Sequence, residues 1–262
     1  MKLSGTALVT GASAGLGVHF ARALAAGGHD LILTARRGDR LEALAADLRA
    51  RHGIAATAIA ADLAEAGAVD MLMAGIDRRG LAVDILINNA GFGASGAFAE
   101  QDRAMLARMV DCNCRALVEL CHAVLPGMIR MRAGAILNLA STAAFQPGPW
   151  MSAYYASKAF VLHFSEGLHE EVKQHGVHVS ALCPGPTRTD FAAVAGMGDS
   201  APFKHFAADP RAVARDGLKA LAANEAVRIS GLRNRIMAAS ARLAPRFAVR
   251  RLVASLQRTR LP

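Results

Sequence analysis

Short, almost wholly apolar runs alternate with longer stretches of helical periodicity along most of this chain. That alternation narrows the fold more than any other feature. Strands are predicted at residues 6–10, 30–34, 56–60, 84–87, 135–139, 178–182 and 227–230. Helices are predicted at about residues 15–26, 40–51, 66–79, 103–131, 151–175 and 210–223. Strands that alternate with helices build βαβ units and hence a parallel sheet. Runs such as Ile85-Leu86-Ile87 are apolar at every position, as a strand covered on both faces requires. With 262 residues, 53% of them hydrophobic, one large α/β domain can bury a sizeable core. The expectation is a doubly wound parallel sheet of about seven strands over residues 1–230. An arginine-rich helical extension of the same domain follows at 231–262.

The first strand ends in Thr10-Gly11-Ala12-Ser13-Ala14-Gly15-Leu16-Gly17, and a helix follows at once. Glycine serves three purposes here: a tight turn, close backbone approach to a pyrophosphate, and close packing of helix on sheet. The helix start adds free N–H groups and the positive end of its dipole. Gly11, Ser13, Ala14, Gly15, Leu16 and Gly17 are therefore candidate cofactor contacts. The second strand leads into Arg36-Arg37, where an NAD enzyme usually carries an acid for the ribose hydroxyls. Arg36 suits the 2′-phosphate of NADP(H) instead, with Arg37 and Arg40 as weaker candidates.

Tyr154 and Lys158 lie four apart on a predicted helix, on one face and one turn from each other. A free tyrosine titrates near 10, and a neighbouring ammonium lowers that value. The pair reads as a proton shuttle. Tyr155, three residues from the same lysine, is a rival. Ser141 follows the fifth strand, at a strand-to-helix switch where ligands bind in such sheets. Taken singly, a helical tyrosine usually packs and a serine usually caps a turn. Their joint order downstream of the glycine turn is what argues for chemistry.

These residues resemble the short-chain dehydrogenase/reductase family over about the first 190 positions. The glycine turn is similar to that family's Thr-Gly-x-x-x-Gly-x-Gly, and Tyr154 to Lys158 to its Tyr-x-x-x-Lys. Ser141 precedes Tyr154 by the family's spacing, which selects Tyr154 over Tyr155. The resemblance implies a Rossmann-type sheet in the order 3-2-1-4-5-6-7. It implies that Asp62 and Leu63 contact adenine. By the same likeness Asn88, Ala90 and Gly91, from Asn88-Asn89-Ala90-Gly91, support the sheet and line the cofactor. Pro184 and Gly185 resemble its Pro-Gly motif, with Thr187 and Thr189 near the carboxamide. It further implies that Tyr154 is the general acid in reduction, and that Lys158 lowers its pKa and binds the nicotinamide ribose. Ser141 would hold the substrate oxygen, and Asn113 would support a water that relays protons to the lysine. A homodimer or homotetramer is the assembly this family implies.

The expected pocket walls are Phe92, Gly93, residues 143–150 and a loop at 191–208. Phe145, Trp150, Phe191 and Phe203 would make it largely apolar, suited to a hydrophobic ketone, aldehyde or acyl-type substrate. Gly196 and Gly198 would let the loop close as a lid. From Ala226 to Pro262 there are nine arginines and no lysine, Asp or Glu, so the net charge of +9 resides there. Val249, Leu252, Val253 and Leu256 form an apolar stripe within that tail. Three roles are open to it: packing on the domain or a second subunit, resting on an anionic membrane surface, or receiving an acidic acyl carrier or coenzyme A. A neutral domain body argues against a nucleic-acid binder.

The spacing of Cys112, Cys114, Cys121 and Cys183 fits neither a zinc ribbon nor a disulfide framework, and no histidine pair suggests a metal. Reduced thiols and the lack of a signal-like start point to a cytoplasmic, or membrane-peripheral, protein. The functional reading is an NADPH-dependent carbonyl reductase. The alternatives are an oxidative alcohol or hydroxysteroid dehydrogenase, and a non-catalytic NADP-binding sensor or scaffold.

Overall fold

The computed structural model describes residues 3–191 and 207–258. Seven parallel strands form one sheet in the order β3-β2-β1-β4-β5-β6-β7. They are β1 (Ala7–Thr10), β2 (Leu31–Ala35), β3 (Ala56–Ala60), β4 (Ile85–Asn88), β5 (Gly134–Leu139), β6 (Val177–Cys183) and β7 (Val227–Ile229). The crossovers are α1 (Gly15–Ala26), α2 (Gly38–His52), α3 (Ala68–Asp77), α4 (Arg103–Val110) with α5 (Ala116–Met131), α6 (Ser152–Val172) and α7 (Pro210–Ala222). Both the Rossmann-type architecture and the strand order implied by the resemblance are as expected.

Side chains alternate across each strand, so one strand feeds two cores. Val9, Leu33, Ile87, Leu137 and Leu182 pack with Phe20, Leu24, Leu41, Val213 and Leu221 of α1, α2 and α7. Leu8, Ile32, Leu86, Ile136 and Val179 pack on the other face with Leu72, Leu120, Val161 and Leu162 of α3, α5 and α6. This two-sided burial explains why the strands carry no alternating pattern in sequence. Strand order reverses between β1 and β4, and the crevice outside the carboxyl ends of the strands at that reversal is where such sheets take ligands.

The single helix expected over 103–131 is divided. A π turn, Asp111–Arg115, separates α4 from α5 and carries Asn113. An extra residue in the ladder leaves little trace in apolar periodicity, and such bulges gather at functional sites.

The tail forms two helices, α8 (Leu232–Leu243) and α9 (Arg246–Arg258), broken at Ala244-Pro245, where proline supplies no N–H to continue the first. Helix α8 packs on β7 and on the 3₁₀ turn Thr142–Phe145. The apolar stripe expected on α9 is only partly the buried one. Val249 and Val253 are buried, but Leu252 is 61% exposed, and Gln257 is buried with the two valines. The side chain of Leu256 lies outside the described residues. Among the described residues no helix is long and apolar enough to cross a membrane.

Candidate active site

Thr10 closes β1 and ties it to β4. Its hydroxyl accepts from the backbone N–H groups of Asn89 (3.0 Å) and Ala90 (2.9 Å) and donates to Ile87 O (3.2 Å). The Asn89 amide donates in turn to Thr10 O at 2.8 Å. The glycine turn is thereby pinned from beneath. Gly11 has φ +65°, and a Cβ there would stand 2.8 Å from Asn89 Nδ2. At Gly17 a Cβ would fall 2.3 Å from Gly11 O, so this glycine lets α1 sit against the strand. It packs behind the turn, whereas Gly11, Ser13, Ala14, Gly15 and Leu16 line the cleft itself. No side chain caps the start of α1 and its first turn holds no acid, so its N–H groups stay available to an anion. A narrow glycine cradle at an uncapped helix start fits the diphosphate of a dinucleotide.

Arg36 and Arg37 both line the cleft beside this turn. Arg37 Nη2 donates to Ser13 Oγ at 3.2 Å, which makes the weaker candidate the one tethered to the turn. Asp62 and Leu63 line the cleft after β3. Arg108 Nη2 holds the Asp62 carboxylate at 2.7 Å and also pairs with Glu65, anchoring that loop to α4.

Asn88 does not line the cleft. Its Nδ2 points into the core and donates to Asn138 Oδ1 at 2.9 Å across the β4–β5 pair. Asn138 Nδ2 continues the row to Ser165 Oγ at 3.0 Å. The alternation of a strand sends Asn88 inward and leaves Asn89 and Ala90 at the cleft. Gly91 follows them, and a Cβ there would meet Asn113 Oδ1 at 2.9 Å and Lys158 Nζ at 3.5 Å.

Ser141, Tyr154 and Lys158 converge on the cleft. Ser141 Oγ accepts from Ala143 N at 3.1 Å and is hydrogen-bonded to Tyr154. The Tyr154 ring lies 5.4 Å from that of Phe191, and Gly93 leaves room for both. Lys158 is buried and donates from Nζ to Leu139 O at 2.7 Å. Burial lowers its ammonium from 10.5 to about 8. Tyr154 departs from the expected direction. Burial pushes its phenol well above the ordinary value, with only the Ser141 hydrogen bond pulling it down. The ammonium, held on the Leu139 carbonyl 5.9 Å from the ring centroid, does not offset the desolvation.

Asn113 stands one layer behind. Its amide grips both backbone groups of Phe92, accepting from N at 3.1 Å and donating to O at 3.0 Å. Its Nδ2 also meets Ser157 Oγ at 3.0 Å. The π turn thus locks the strand exit beside Lys158. Cys112 of the same turn lines the cleft, its thiol pushed up to about 11 by burial.

Pro184, Gly185, Thr187 and Thr189 border the cleft after β6. Thr142 N bonds Pro184 O at 2.9 Å, holding this segment against the Ser141 turn. The cleft is further walled by Phe92, Ala143, Met151, Tyr155 and Phe191, and by Leu232, Met237, Val249 and Val253 of α8 and α9. The whole cleft encloses about 2390 Å³. Phe145 and Trp150, expected as walls, are not among its lining residues. Phe145 packs instead against the core under the sheet, and Trp150 adopts φ +62°, its carbonyl accepting from Gly96 N at 3.0 Å. Phe203, Gly196 and Gly198 lie outside the described residues. The contribution of α8, α9 and Gln257 escaped the sequence reading, because a wall residue so distant in the chain leaves no local signal.

Comparison with known proteins agrees with this geometry. The family model for short chain dehydrogenases matches residues 5–199. A very-long-chain 3-oxoacyl-CoA reductase of Phaeosphaeria nodorum is 40% identical over 67% of this chain, and the match spans only 53% of that reductase. A sulfoacetaldehyde reductase of Chromohalobacter salexigens is 39% identical over 74% of this chain and 76% of its own length. Among solved structures, a short-chain dehydrogenase from Sphingobium yanoikuyae in complex with NADPH superposes with a TM-score of 0.81 at 36% identity, over 87% of this chain and 89% of that one. The chain belongs to the short chain dehydrogenase family of oxidoreductases.

Proposed function

We propose that this protein is an NADP(H)-dependent carbonyl reductase acting on hydrophobic ketones, aldehydes or acyl-type carbonyls. The observation that carries the reading is the convergence of Ser141, Tyr154 and Lys158 in one cleft with the glycine turn. The nicotinamide, when bound, supplies the hydride. Ser141 holds the carbonyl oxygen, and Tyr154 delivers a proton to it as negative charge develops. Lys158 presents its ammonium to the ribose, and Asn113 positions the strand exit that Lys158 faces. Arg36 and Arg37 would meet the 2′-phosphate, while Asp62 and Leu63 would border the adenine. The reductase relatives and the NADPH-bound structure support this choice. The apolar wall supports a bulky, lipophilic substrate. Residues 231–262 read as part of the same domain, since α8 and α9 line its pocket, and the family habit supports a homo-oligomer.

The test is steady-state reduction of a panel of ketones of graded size with NADPH or NADH. The wild type should prefer NADPH and the larger apolar ketones. Arg36→Ala should erode the NADPH preference by roughly 10–100-fold, as loss of a charge-assisted contact predicts. Tyr154→Phe should bind NADPH but turn over no ketone. Equal use of both cofactors, or a preference for small charged carbonyls, would reject the reading.

A further inference from the structure

Away from the cleft, α8 and α9 present a mixed apolar and cationic surface. Ile236 is 63% exposed, Leu243 88% and Phe247 55%. Exposed arginines stand among them: Arg235, Arg246, Arg250 and Arg251. Arg251 lies over the Phe247 ring, 5.9 Å from its centroid. Several arginines on the body of the domain are held by acids, as Arg108 is by Asp62 and Glu65, and Arg115 by Asp111 and Glu119. Across the tail no acidic residue follows Glu225.

The outward face is not simply the core side of these helices turned over. Their inner side is already committed, with Ala238, Val249, Val253 and Gln257 buried against the domain. What remains outward is a cationic face studded with large apolar side chains, the composition of a helix that lies in a membrane interface. Its apolar groups gain by entering the acyl boundary, while its guanidinium groups remain at the level of lipid phosphates. Charge decides between a bilayer and a second copy of the chain. A two-fold contact through this face would bring the same arginines together with no acid on either helix to meet them.

We propose that α8 and α9 form a docking surface for an anionic lipid bilayer. The association is peripheral and does not depend on which reaction the cleft carries out.

The experiment is sedimentation of the full-length protein with vesicles of phosphatidylcholine alone or mixed with phosphatidylglycerol, over a range of salt. The protein should follow the anionic vesicles, leave the neutral ones largely unbound, and dissociate as salt screens the attraction. Replacing Arg235, Arg246 and Arg250 together by Gln should weaken partitioning by roughly 100-fold, at about fivefold per basic residue. Leu243→Ser with Phe247→Ser should remove the part of the binding that persists in salt. Thermal melts report whether each variant folds; where one does not, the wild-type comparison across lipid and salt decides. No sedimentation with anionic vesicles, or equal binding to neutral ones, would overturn the proposal. So would a wild-type dimer that the Leu243→Ser and Phe247→Ser pair converts to a monomer.

Discussion

The side-chain amide of Gln257 donates a 2.7 Å hydrogen bond to the Tyr155 hydroxyl, 102 positions earlier in the chain. Tyr155 thereby ties α6 to α9. Its ring covers Gly148, where an added Cβ would fall 2.2 Å from Tyr155 Cδ2, and its hydroxyl receives the buried Gln257 side chain of α9.

That bond should be measurable as a coupling. Gln257→Ala and Tyr155→Phe are each expected to lower the free energy of unfolding by about 1–2 kcal/mol, and the double variant should lose about 1 kcal/mol less than their sum. Urea titrations of the four proteins provide the cycle. Strictly additive losses would show that the contact contributes nothing to holding α9 in place.

Lys158 should make stability depend on alkaline pH. Its folded pKa, about 8, lies below the ordinary 10.5, so the folded protein binds this proton less readily than the unfolded chain does. The contribution of this group is therefore full above 10.5 and is lost as pH falls through about 8. Relative to Lys158→Met, the wild type should gain ~2–3 kcal/mol between pH 7 and pH 10, at ~1.4 kcal/mol per pH unit of displacement. The raised Tyr154 pKa is common to both proteins and cancels in the difference. Chemical denaturation at a series of pH values checks this, and a flat difference would mean that the ammonium is not desolvated.

Two glycines make a matched pair. Gly17→Ala places a methyl 2.3 Å from the Gly11 carbonyl oxygen, a backbone atom that cannot yield cheaply. The variant should lose about 1–3 kcal/mol of stability and bind NADPH at least ~10-fold more weakly, because the turn itself must shift. Gly167→Ala, on an exposed position of α6 with nothing within 4 Å, should gain up to ~1 kcal/mol and leave NADPH binding alone. Thermal melts with nicotinamide fluorescence titrations separate the two, and similar behaviour of both variants would count against the packing argument.

Much of this molecule could be read before its structure was in view, for reasons that differ by element. Strands covered on both faces are apolar throughout, so Ile85-Leu86-Ile87 announces itself. The glycine turn is legible because steric demands leave few residues able to serve at Gly11 and Gly17. Tyr154 and Lys158 are legible because a helix fixes their spacing. What escaped depends on distance or on cancellation. The π turn around Asn113 shifts the ladder without disturbing composition. The direction of the Tyr154 pKa turns on a balance between burial and a lysine whose proton is engaged elsewhere. Asn88 was misplaced because a four-residue motif read as a unit straddles the strand end, where consecutive side chains part company.

The cleft's two sides come from separate parts of the chain. The glycine turn, the β4 exit and α6 line one part of the cleft, whereas much of the remaining wall is α8 and α9, of which α8 packs on β7. Under the proposed function, variation in those two helices would retune which molecules are accepted without touching the atoms that would transfer charge. For an engineer, the practical reading is a graftable specificity cassette, with Gln257–Tyr155 as the seam to preserve at its distal end.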